Sequence, residues 1–145
     1  MSGPPETVAR RIAEMGNEFN PDVVAQVYEI YRPLLQAAPK LETPILKDIS
    51  YGPNERHLLD IHRPDRAESP AQPAVVYLHG GGFVRGHKNA LSDEPELIHG
   101  NIATFFARHG FVGINATYRL APSYTWPSGG ADVALLVAYL RNNAE

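Results

Sequence analysis

Residues Ala74–Gly86 read AVVYLHGGGFVRG, an apolar run closed by a histidine and three consecutive glycines. The run is continuous rather than alternating, the pattern of a strand buried on both faces inside an α/β sheet. The glycines stand at the carboxyl end of that strand, where open α/β sheets bind their ligands. Lacking Cβ atoms, they let a ligand oxygen reach the backbone amides and accept angles that other residues resist. Two chemistries use such a loop: cradling a phosphate, and holding the oxyanion of an acyl-transfer intermediate. Spacing separates them. Gly80 and Gly82 satisfy G-x-G, but the third glycine of the dinucleotide fingerprint falls on Arg85, with Gly86 one place late. No G-x-x-x-x-G-K-[ST] is present, and FVRGHKNALSDEP after the glycines is loop-like. The oxyanion reading therefore stands against the plainer one of a glycine-rich turn without chemistry.

Downstream, a loop and a helix from Pro95 or Asn101 to His109, stopped by Gly110, lead to a second buried strand, FVGINATY. Ser128 is expected to N-cap a last helix whose Val133, Leu136, Val137 and Leu140 face inward. Upstream, ILKDISYG and HLLDIHRP flank the turn GPNER and predict a β-hairpin, joined to the glycine strand by the polar connection DRAESPAQP. Two helices come first. Pro4 and Pro5 precede ETVARRIAEMG, with Val8, Ile12 and Met15 on one face and Gly16 as a stop. Asn20, Pro21 and Asp22 then start a helix with a wide apolar stripe and a kink at Pro33. The order predicts a mostly parallel α/β sheet with an antiparallel hairpin at its start, preceded by a helical leader. The expected division is 1–44 for the leader and 45–145 for the sheet domain.

The composition is that of an ordinary globular protein, with 43% hydrophobic and 20% charged residues among 145. A net charge of −3 supplies no electrostatic case for nucleic acid or an anionic membrane as partner. With no secretory h-region and no apolar run near ~20 residues, a soluble, cytoplasmic chain is the default expectation. The absence of cysteine removes disulfides, thiol catalysis and thiolate-bound metal. His57, His62, His87, His99 and His109 are scattered and form no H-E-x-x-H metal site, and acyl transfer at a glycine loop needs only a side-chain nucleophile and water, so no metal or other cofactor is expected.

HGGGF at 79–83, followed by TYRLAPSYTWPSGGADV at 117–133, resembles the α/β-hydrolase superfamily, specifically the carboxylesterases related to hormone-sensitive lipase and the BD-FAE group. The resemblance runs from Ile45 to the end and matches the N-terminal portion of such enzymes. It implies that the amides of Gly81 and Gly82 donate to the oxyanion while His79 braces the loop. It also implies a strand order of first, second, fourth, third, which puts AVVYLH on an edge that invites a partner. Arg119 is expected to pair with Asp132 in a structural role. Phe83, Tyr118 and Trp126 are candidates for the substrate pocket, the last two with core packing as the alternative. The serine elbow G-x-S-x-G is absent: none of Ser2, Ser50, Ser69, Ser92, Ser123 and Ser128 has glycine on both sides at that spacing, and Ser128, with Gly130 two places later, has Trp126 two places before it. The expectation is thus a portion of a serine-dependent carboxylic ester hydrolase acting on a small ester. This chain would supply the oxyanion hole but no nucleophile, acid or base, and would be inactive alone. A complementary C-terminal chain or a homo-oligomer is the possible partner. The alternatives are an inactive fragment or binding module and, as a substrate class, aryl formamides.

Overall fold

The computed structural model describes residues 4–66 and 72–143, so part of the polar connection 65–73 lies outside the described residues. The chain divides into two compact units, Met1–Pro39 and Lys40–Glu145. In the first, α1 spans Glu6–Glu14 and α2 spans Pro21–Gln36. Asn20 is extended and its side chain accepts the Val23 N–H at 2.9 Å, while Pro21 occupies a position whose missing N–H has no intrahelical acceptor. Gly16, at φ +72°, follows the end of α1.

The second unit is a four-stranded sheet: β1 Leu46–Ser50, β2 Leu58–His62, β3 Ala74–Leu78 and β4 Val112–Ala116, in the order β1-β2-β4-β3. The β1–β2 and β2–β4 pairs are antiparallel, and β3 runs parallel to β4 with Val76 opposite Ile114. Helix α3, His99–Arg108, separates β3 from β4 in sequence and ends at Gly110, whose φ of +84° and bond to the Ala107 carbonyl terminate it. Helix α4 spans Ser128–Asn142.

Alternation along the strands gives the sheet two unlike faces. Leu59, Ile114 and Ala116 point to one, where they pack with Tyr51 and with Leu136 of α4. Asp60, His62, Gly113 and Asn115 point to the other, under α3, where His62 Nδ1 lies 2.9 Å from Thr104 Oγ1. A Cβ at Gly113 would stand 2.0 Å from the Ala103 carbonyl oxygen, so β4 and α3 meet backbone to backbone. On this face Lys88, only 1% exposed, drives its ammonium between the carboxylates of Asp60 and Asp48, at 2.8 Å from each. Asn115 donates to the Lys88 carbonyl at 2.8 Å.

Three local expectations are corrected. β3 is not buried on both faces: Val76 is 36% exposed, because an edge strand has a neighbour on one side only. In α4 only Leu136 of the four predicted inward residues is fully buried; Val133 and Val137 are 41% and 36% exposed, since the helix rests on the sheet along a narrow line. Ser128 is the first residue of α4 rather than its cap, Pro127 holding the cap position with no side-chain bond.

Candidate active site

The segment after β3 turns sharply. Gly81, Gly82 and Phe83 have φ of +125°, +63° and +63°, and the Gly81 carbonyl accepts from both Val84 N and Arg85 N at 3.2 Å. Only glycine fits at 81, where a Cβ would lie 2.0 Å from the Arg85 carbonyl oxygen. Phe83 is an aromatic residue held in the left-handed region, its carbonyl fixed by the Ala121 N–H at 2.8 Å. The amides of Gly81 and Gly82 bond to no other described residue. Two adjacent N–H groups are thus left open, as are those of Gly80 and Phe83, on a loop tied down through the carbonyls of Gly80, Gly81, Phe83 and Gly86.

His79 sits at the root of the loop, 2% exposed. Its Nδ1 is 2.8 Å from the Gly80 carbonyl and therefore carries the proton, leaving Nε2 to face Arg56 Nη2 at 3.5 Å. Burial pushes its pKa down, and Arg56 adds to this, against an upward contribution from the Gly80 carbonyl. Both ring nitrogens of His79 thus face groups at the root of the glycine loop. Tyr118 completes the brace: its ring stacks on His79 at 4.5 Å and its hydroxyl donates to the His79 carbonyl at 2.9 Å. Together Leu78, Phe83, Tyr118 and Val133 give an apolar wall to a cavity of about 280 Å³ bordered by His79, Gly80 and Gly82. Gly81 is next to this lining, whereas Trp126 is 89% exposed and does not border the cavity.

Arg119 and Asp132 meet behind the site. Asp132 accepts the Arg119 N–H at 2.8 Å and its Nε at 2.8 Å, and His57 Nε2 lies 3.0 Å from the same carboxylate. Burial pushes the Asp132 carboxyl up, but the hydrogen bonds from Arg119 and His57 outweigh it and hold the group below the usual carboxylate range. The His57–Asp132 pair has the composition of a catalytic dyad but not its freedom. His57 Nδ1 accepts the Asn54 N–H at 3.2 Å and the ring is 2% exposed, so no lone pair is left for a substrate. The pair ties the hairpin turn to the start of α4.

Sequence reasoning passed over Arg56, His57 and Lys88, each of which anchors this region through partners distant in the chain. Among the described residues no cluster of histidine and carboxylate side chains could hold a metal ion, and no helix is long and apolar enough to cross a membrane.

The BD-FAE family model matches residues 59–145, from β2 through the glycine loop to the end. The chain belongs to the BD-FAE family. Among curated proteins it is similar to Esterase LipC of Mycobacterium tuberculosis (strain ATCC 25618 / H37Rv), 30% identical over 99 residues, a match covering 67% of this chain and 22% of that protein. The chain therefore spans under a quarter of the length of that relative. Among solved structures, the hyperthermophilic esterase from the archaeon Pyrobaculum calidifontis superposes with a TM-score of 0.63 at 24% identity, covering 99% of this chain and 44% of its own. Esterase B from Lactobacillus rhamnosis gives 0.61 at 17% identity, covering 97% and 41%. The fold of this BD-FAE chain is thus that of part of an α/β-hydrolase.

Proposed function

We propose that this chain supplies the oxyanion hole and part of the acyl pocket of a serine-dependent carboxylic ester hydrolase. The observation that carries the reading is the pair of open amides at Gly81 and Gly82 beside an apolar-walled cavity, on a loop fixed by neutral His79. As a serine oxygen attacks the ester carbonyl, negative charge grows on the carbonyl oxygen. Two preset N–H donors meet that charge without reorganising, each contributing about 2.7–4 kcal/mol of transition-state stabilisation. Phe83, Tyr118 and Val133 would flank a small acyl group. These 145 residues contain no G-x-S-x-G, so the attacking serine and its histidine and carboxylate partners are assigned to sequence beyond them. The similarity to esterases supports the reaction class; the loop supports the role.

The test is to read the coding region beyond codon 145 and express the continuous frame. It is expected to encode G-x-S-x-G, then an acid and a histidine, and the product to hydrolyse p-nitrophenyl acetate, with a serine-directed organophosphonate blocking turnover. The 145-residue chain alone is expected to be inactive. Turnover by that chain, blocked by the same inhibitor, would overturn the assignment.

A further inference from the structure

The hairpin turn between β1 and β2 is pinned by its own hydrogen bonds. Tyr51 N–H donates to the His57 carbonyl at 2.9 Å, His57 N–H to the Asn54 carbonyl at 2.9 Å, and Arg56 N–H to Asn54 Oδ1 at 3.0 Å. His57 anchors it further on Asp132. Arg56 is thereby presented from a rigid platform, and its guanidinium crosses to the carboxyl ends of β3 and β4. Nε donates to the Tyr118 carbonyl at 2.7 Å and Nη2 to the Gly86 carbonyl at 2.7 Å, with His79 Nε2 at 3.5 Å from the same nitrogen. Gly86 closes the glycine loop on its own root: a Cβ there would stand 2.3 Å from His79 Nδ1 and 2.4 Å from the Gly80 carbonyl oxygen. One planar fork therefore faces both ends of the loop, His79 and Gly86, and also the backbone of Tyr118, whose hydroxyl and ring support His79. No carboxylate pairs with Arg56 among the salt bridges of the described residues, which leaves the fork to the backbone.

We propose that Arg56 is a positioning residue for the oxyanion loop: by fixing the Gly86 and Tyr118 carbonyls it sets the direction in which the Gly81 and Gly82 amides point. The inference rests on the oxyanion reading above. Arg56 touches no reacting atom in this role. It acts through the loop, and its bidentate geometry is the property that matters, because a lysine can satisfy only one of the two carbonyls at a time.

The experiment uses the 145-residue chain, labelled with ¹⁵N, and methylphosphonate as a tetrahedral oxyanion probe. In the parent chain the probe is expected to shift the Gly81 and Gly82 amide resonances saturably. In Arg56→Lys and Arg56→Gln the dissociation constant read at these two amides is expected to rise at least tenfold while the amides of β2 and β4 keep their positions, with Lys the milder of the two. Variants that bind the probe as tightly as the parent would overturn the positioning role and leave the oxyanion reading intact. A parent chain whose Gly81 and Gly82 amides ignore the probe would overturn the oxyanion reading and this inference with it. Collapse of the β2 and β4 resonances in both variants would assign Arg56 to stability instead, and also overturns the proposal.

Discussion

The two faces of the β2–β4 pair are built from opposite materials. One carries Leu59, Ile114 and Ala116 against Leu136, an apolar cluster that would hold almost any sheet to a helix. The other carries Asp60, Asn115 and His62, with Lys88 buried above them. The apolar face tolerates rearrangement at the cost of packing. The polar face does not, because its buried charges depend on partners held in fixed places. That second face lies beneath the segment that returns from the glycine loop, and Lys88 is only two residues past Gly86. The contrast suggests a division of labour in which one side supplies stability and the other supplies position.

Several substitutions would break or sharpen that contrast. Lys88→Met removes the buried cation from the Asp60 carboxylate, leaving it the Asp48 N–H, and is expected to destabilise the chain by about 3–5 kcal/mol in urea unfolding; adding Asp60→Asn should recover over half of the loss. No recovery in the double variant would mean that the polar face works by packing alone. Ile114→Ala, on the apolar face, is expected to cost about 3 kcal/mol through the cavity it leaves.

A pH series addresses the polar side as a whole. His62, His79, His87 and His99 are each held below the ordinary 6.5, burial being the first cause in every case. Below that value the unfolded chain takes up protons that the folded chain refuses. Stability is therefore complete above about pH 6.5 and declines toward pH 5. Asp48 and Asp132, held below 3.8 by Lys88 and by Arg119 with His57 respectively, add their losses only in a lower window. Urea midpoints that do not fall between pH 7.5 and 5 would contradict this ordering. The smallest effect is expected at Val76, which faces the same side as its neighbour Ile114 but is 36% exposed against 1%. Val76→Thr should change stability by no more than about 0.5 kcal/mol.

Much of this architecture is legible in the sequence. The switch from helical to strand periodicity at Ile45, the Asn20-Pro21-Asp22 start and the Gly110 stop all depend on neighbours a few residues apart, and these reappear in the fold. So does the contact of Arg119 with Asp132, set by a motif of short span. What escapes is long-range. Arg56 finds Tyr118 and Gly86, His57 finds Asp132, and Lys88 finds Asp60 at sequence separations of 28 or more. Neither periodicity nor propensity encodes such meetings, and a lone basic residue in a turn reads as a solvated one. Val133 shows the converse: its helical spacing marks it as core, while the fold turns it toward the cavity.

The bare contact between Gly113 and Ala103 has a mechanical side. At that crossing no side chain stands between β4 and α3, and the helix rests on the strand as a beam rests on a fulcrum. His99 rides at the near end of that beam, its ring 6.4 Å from His79, and Arg108 at the far end. A wedge one carbon thick at position 113 would meet the Ala103 backbone directly, so the helix would yield only by lifting from the strand.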